Sequence, residues 1–231
     1  MAPGEADATQ AGKPMTMVLL RSQAVDFLEA WATQRRLAER RRAGDLPDVL
    51  WLLEHPPVYT YGRHATRADL HLTDETIAAM GATCHQIDRG GQMTWHGPGQ
   101  TTGYVIAGLG PRSRPLREFI SDIALAMQLA SGLPDAVCDP GRPGLYVGGR
   151  KVGSIGVRVE GGVTTHGFAL NRDPDLAWFF HMTACGAPDV AATSIAAEGG
   201  DATRERVELA LAGALGAAPA DEPSILRLFK G

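Results

Sequence analysis

Apolar positions recur along this chain with two different periods, and the switches between them mark its elements. Residues 22 to 42 carry Ala24, Phe27, Leu28, Trp31 and Leu37 at helical spacing and stop at Gly44, which predicts an amphipathic first helix. The run PDVLWLLEHPPVYTYG reads as a strand that ends at its prolines and resumes beyond them. In TDETIAAMGA a Thr N-cap precedes two acids, so a short helix is expected to end at Gly81. TCHQIDRGGQMTWHGPGQTTGYVIAGL reads as two strands interrupted by a glycine-rich bend.

The clearest helix is PLREFISDIALAMQLASG, whose Leu116, Phe119, Ile120, Ile123, Leu125, Met127 and Leu129 form a broad apolar face before Gly132. LYVGGRKVGSIGVRVE and GVTTHGFALN follow as a β-hairpin turning at Glu160, Gly161 and Gly162. A last helix is expected over DATRERVELALAGALGAA. Strands and helices in this irregular order imply an α/β (α+β) domain with a mixed β-sheet and flanking helices. At 231 residues, one domain over 17–231 behind a disordered N-terminal tail of residues 1–16 accounts for the pattern.

Composition narrows the class. With 44% hydrophobic and 21% charged residues, the chain is ordinary for a soluble protein, and its apolar runs fall short of the ~20 residues a membrane helix needs. The opening MAPGEADATQAGKP lacks the basic and apolar regions of a signal peptide, so a cytoplasmic location is expected. Cys84, Cys138 and Cys185 lie far apart, which argues against a disulfide framework or a cysteine-rich metal site. A net charge of -4 gives no general field for nucleic acid; the local cluster of Arg35, Arg36, Arg40, Arg41 and Arg42 reads as the cationic end of a helix or as a docking patch for an acidic partner.

Candidate chemistry starts from Lys151. Only three of the 22 basic residues are lysine, and the other two, Lys13 and Lys230, stand near the chain ends. Lysine loses its proton far more readily than arginine, so Lys151 is a candidate for proton chemistry, or simply a residue on a strand edge. Cys185, in WFFHMTACGAPD, is a candidate nucleophile if a nearby cation holds its thiolate, or a packing residue if none does. His96 and His166 offer a competing Cys/His scheme, and His181 a third imidazole, but no H-x-x-x-H spacing supports a metal. GRKVGSIG shares only composition with a phosphate loop, because its lysine precedes the glycines.

Five segments in order, PPVYTYGRHA, RGGQMTWHGPGQTTGY, GRKVGSIGVRV, THGFALN and ACG, resemble the lipoyl(octanoyl) transferases, the octanoyl-[acyl-carrier-protein]:protein N-octanoyltransferases, over roughly residues 17–200. The resemblance implies a biotin/lipoate protein ligase-like fold and a Cys185/Lys151 dyad that carries the octanoyl group as a thioester. It places the substrate-binding segments on Arg89, Gly90, Gly91, Gln92, Met93, Thr94, Trp95 and His96, on Ser154, Ile155 and Gly156, and on Gly167, Phe168 and Ala169. It implies octanoyl-acyl carrier protein as donor, and as acceptors the lipoyl domains of 2-oxoacid dehydrogenase E2 subunits and glycine cleavage H protein. No cofactor and no metal are implied. Methylene contacts are expected from Met93 or Trp95. Ala184, Ala187 and Trp95 depart from the commonest residues of the family pattern. An ATP-dependent lipoate-protein ligase on the same fold, an acyl-thioester hydrolase and a non-catalytic carrier-binding module are the rival readings.

Overall fold

The fully apolar run VLWLL forms a central strand covered on both faces, and the fold is built around it. The computed structural model describes residues 17–109, 115–139, 141–183 and 190–219. The predicted tail at 1–16 lies outside the described residues, as does Cys185. In chain order come β1 (Met17–Ala24), α1 (Phe27–Ala43), β2 (Val49–Glu54), β3 (Val58–Tyr61), α2 (Asp74–Ala79), β4 (Thr83–Gln86), β5 (Met93–His96) and β6 (Gln100–Ile106). After them come α3 (Leu116–Ser131), β7 (Val137–Cys138), β8 (Gly144–Val147), β9 (Arg150–Glu160), β10 (Val163–Asn171), α4 (Arg204–Ala214) and β11 (Ala217–Pro219).

Eight strands form one mixed sheet in the order β11-β1-β2-β6-β10-β9-β8-β7, and β4-β3-β5 form a second, smaller one. Strand β1 runs parallel to both β2 and β11, while β2, β6, β10, β9 and β8 pair antiparallel in turn. Alternation sorts the side chains of the large sheet. Leu50, Leu52, Val105, Phe168 and Leu170 meet α3 and α4, whereas Trp51, Leu53, Tyr104 and Ile106 meet α1. The small sheet has a core of its own around Tyr59, Met93 and Trp95. It abuts the N-terminal end of α1, where Phe27 packs with Val58 and Ile87.

Several expectations needed correction. The predicted helix over 22–42 begins only at Phe27, because Ala24 closes β1 and Asp26 caps the helix, accepting from Leu28 N at 2.8 Å and Glu29 N at 3.2 Å. The two strands predicted across the glycine-rich stretch are three, since MTWH inside that stretch is itself strand β5. LYVGGRKVGSIGVRVE is two strands, split by Gly148 and Gly149, both at positive φ. The predicted hairpin is present: β9 and β10 pair from Glu160–Val163 inward, and Gly161 (φ 56°) and Gly162 (φ 76°) supply a turn that L side chains resist. The helix predicted over PLREFISDIALAMQLASG is α3, which runs from Leu116 to Ser131 and is ended by Gly132 at φ 65°.

Part of the arginine cluster is built into the fold. Arg41 pairs with the buried Asp48 at 2.6 Å, Arg42 donates to Glu160 O at 3.1 Å, and Arg35 lies 4.6 Å over the Trp31 ring. The Arg41 and Arg42 contacts tie the C-terminal turn of α1 to the sheet and hold those cations where the helix dipole favours them, whereas the Arg35 contact stays within α1.

Candidate active site

Where the two sheets face one another they enclose a cavity of about 420 Å³. Its floor is the large sheet. Cross-strand register aligns Thr102, Ala169 and Ser154 in one row over β6, β10 and β9, and Tyr104, Gly167 and Gly156 in the next. Glycine is needed at Gly167 for closeness: a Cβ there would stand 2.2 Å from Gly103 O. Gly167 and Gly156 therefore leave bare backbone under the cavity beside the Tyr104 side chain. Ile155 and Phe168, in the row between, also touch the cavity, although they pack into the core on the α3 side of the sheet.

The roof is the glycine-rich stretch. Arg89, Gly90, Gly91, Gln92, Met93, Thr94 and His96 all line the cavity. Buried Arg89 anchors this stretch to β3, donating to Thr60 O at 2.9 Å and Thr60 Oγ1 at 3.0 Å. Trp95 is the exception among the expected roof residues. It does not line the cavity; it lies in the small-sheet core, where it stacks on Trp178 at 5.5 Å and meets Phe179 edge-on. Its role is packing of the small sheet, and of the two residues expected against methylenes only Met93 lines the cavity.

Three histidines stand at the cavity or next to it, and burial drives all of them toward the neutral form. His96 shares Nδ1 with Gln100 Oε1 at 2.8 Å; because Gln100 Nε2 already donates to Trp95 O and Asn171 Oδ1, the proton belongs to His96 Nδ1. Burial holds its pKa well below the usual 6.5. His55 Nδ1 faces Val25 O at 2.7 Å and so carries the hydrogen, which leaves Nε2 to accept from the Tyr104 hydroxyl at 2.6 Å. Its pKa falls to about 4, mainly through burial. His166, at φ 60°, has a pKa lowered by burial even though Asp88, 2.9 Å from Nε2, opposes the shift. His166 holds the Asp88 carboxyl below the usual carboxylate range in return. Of these three, His96 and His166 line the cavity directly.

Lys151 lies at the other end. It is 8% exposed, lines the cavity, and holds Nζ 5.5 Å from the centre of the Tyr146 ring, which Arg142 also approaches at 5.3 Å. A Cβ at Gly144 would come within 2.9 Å of Lys151 Cε, so glycine leaves the lysine its path. The Lys151 backbone is clasped by the stretch that follows Cys185 in sequence: Lys151 N donates to Ala191 O at 2.8 Å, and Thr193 N donates to Lys151 O at 2.9 Å. Lys151 and the residues of the glycine-rich stretch other than Trp95, together with Ser154, Ile155, Gly156, Gly167, Phe168 and Ala169, thus surround one space. Sequence reasoning missed Phe27, Thr102, Tyr104 and Ile120 as parts of that wall. TTGY carried a signal for two of them, since the one-residue gap between Thr102 and Tyr104 puts both on one face of a strand.

Residues 26–216 match the family model of the lipoyl protein ligase A/B catalytic domain. The chain is 42% identical to an octanoyltransferase of Rubrobacter xylanophilus, over 74% of this chain and 79% of that protein. It is 41% identical to an octanoyltransferase of Mycobacterium bovis, over 84% and 83%. Among solved structures, the bipartite lipoate protein ligase of Thermoplasma acidophilum, described with its E2 lipoyl domain, superposes with a TM-score of 0.66 at 12% identity, covering 93% of this chain and 91% of that one.

Proposed function

Since the chain belongs to the lipoyl protein ligase A/B catalytic-domain family and is an octanoyl-transferring acyltransferase of protein lipoylation, we propose that octanoyl-acyl carrier protein is its donor and that a Cys185 thioester carries the group. The acceptors are lipoyl-domain lysines of 2-oxoacid dehydrogenase E2 subunits and glycine cleavage H protein, and the reaction takes place in the cytoplasm. The observation that supports this reading most is Lys151, a buried lysine at one end of a mostly apolar cavity, with the sequence that follows Cys185 hydrogen-bonded along its backbone.

The chemistry balances without ATP, because the donor thioester is already activated. The Cys185 thiolate, paired with the Lys151 ammonium, attacks the acyl carbon and expels the carrier thiolate, which takes a proton from Lys151. The acceptor amine then attacks the Cys185 thioester, neutral Lys151 accepts the amine proton, and the Cys185 thiolate leaves. Both groups return to their starting states. The acyl tail lies over the low floor at Gly167 and Gly156, under Met93; at about 0.8 kcal/mol per buried methylene an octanoyl chain gains roughly 5 kcal/mol there. The neutral histidines behind that wall suit an uncharged tail.

Intact-mass measurement of the protein mixed with octanoyl-acyl carrier protein tests this. An octanoyl adduct in wild type, absent in Cys185→Ser and discharged by added lipoyl domain, is expected; Lys151→Arg is expected to slow its formation. Octanoylation of the lipoyl domain with no adduct at any time would refute the role given to Cys185. Octanoylation that starts from free octanoate and requires ATP would indicate ligase chemistry instead.

A further inference from the structure

A second cavity, of about 240 Å³, opens between α3 and the turn leading into β8. Ile120, Pro143 and Ile155 line both cavities, so the two adjoin at a shared collar of these three residues. The collar stands near Lys151. Gly144, which meets Lys151 Cε, also lines the second cavity, and Arg142, beside Pro143, shares the Tyr146 ring with Lys151.

The two directions away from Lys151 differ in character. One leads over the bare floor to Phe27, Tyr104 and His166, all of them buried, and suits an uncharged tail. The other passes the collar to a wall that mixes Ala124 and Leu125 with the polar Ser121, Gln128 and Asp139, and ends at the exposed Arg117. A thioester centred at Lys151 has two arms of matching character. Its acyl arm is purely apolar. Its carrier arm is a phosphopantetheine, with two amides, a branched apolar segment and a terminal phosphate.

We propose that the second cavity binds the phosphopantetheine arm of the donor, with Ser121, Gln128 and Asp139 facing its amides, Ala124 and Leu125 its methyl groups, and Arg117 its phosphate. This rests on the reading of a carrier thioester as donor. The acyl group and the arm diverge at Lys151, so the enzyme measures both sides of the bond it breaks. Removing the arm removes only this second set of contacts.

The test uses three small donors, octanoyl-phosphopantetheine, octanoyl-pantetheine and S-octanoyl-N-acetylcysteamine, with the intact protein and a lipoyl domain. In Ser121→Trp, a change at an exposed position that places an indole in the second cavity, the ratio of kcat/KM for octanoyl-pantetheine over the truncated donor is expected to fall about tenfold, the loss of one or two buried contacts. In Arg117→Glu the ratio of phosphorylated to unphosphorylated donor is expected to fall about fivefold, as for an exposed ion pair, and to lose its salt dependence. Ratios unchanged in both variants, or a wild type with no preference among the three donors, would overturn the proposal. Good turnover of octanoyl-phosphopantetheine but none of octanoyl-acyl carrier protein would instead refute the donor reading and leave the arm site standing.

Discussion

Replacing His55 by glutamine should remove a defined part of the acid sensitivity of this fold. His55 is fully buried, and its pKa drops from the ordinary 6.5 to about 4. A histidine depressed in this way is neutral when folded but protonated when unfolded below pH 6.5, so the stability present above 6.5 is lost as the pH falls from there toward 4. Between about pH 7.5 and pH 5.0 the linkage amounts to RT ln of the ratio of the two binding polynomials, ~2 kcal/mol for this residue. Glutamine can keep both hydrogen bonds, donating to Val25 O and accepting from the Tyr104 hydroxyl, without titrating. Urea unfolding of both proteins at the two pH values gives the double difference, in which other titrating groups largely cancel. The expected result is that wild type loses ~2 kcal/mol more than His55→Gln on acidification. Equal losses would mean that His55 is hydrated or already protonated in the folded protein, and the assignment of its tautomer and of the Tyr104 hydrogen bond would fall with it.

Two further outcomes follow from packing. Ala169→Leu adds three carbons to the cavity floor and displaces about three methylenes of the acyl chain, so kcat/KM for octanoyl donors should fall ~50-fold, with butanoyl donors affected much less; equal losses for both lengths would place the acyl chain elsewhere. Trp95→Ala empties the stack on Trp178 in the small-sheet core and should cost about 3–5 kcal/mol, read as a drop of roughly 10 °C in Tm; a Tm unchanged within error would contradict the packing given to this residue.

Local physical chemistry made much of this protein legible from its sequence. The Gly161–Gly162 turn, the α3 stripe ending at Gly132 and the Thr73 cap all depend on neighbours in the chain, so a linear reading reaches them. The glycines between Arg89 and Gln100 likewise marked a bend between strands, and Lys151 stood out as the one lysine far from the chain ends. Each of these is a statement about a few residues and their own backbone preferences.

Other features depend on which residues the fold brings opposite one another. Ala24 fits a helical spacing with Phe27 and Leu28, yet pairing with β2 made it the end of a strand, because a ladder of sheet hydrogen bonds outweighs the small helix propensity of one residue. Trp95 and Met93 sit two apart in one strand, and only the small sheet, with Trp178 and Phe179 brought in from more than eighty residues away, decided that the indole would be packing rather than lining. The neutrality of His55, His96 and His166 required burial, which no spacing encodes. The same holds for the meeting of two cavities at Ile120, Pro143 and Ile155. Those three residues come from α3, a turn and β9, and they become neighbours only when the sheet packs against the helix.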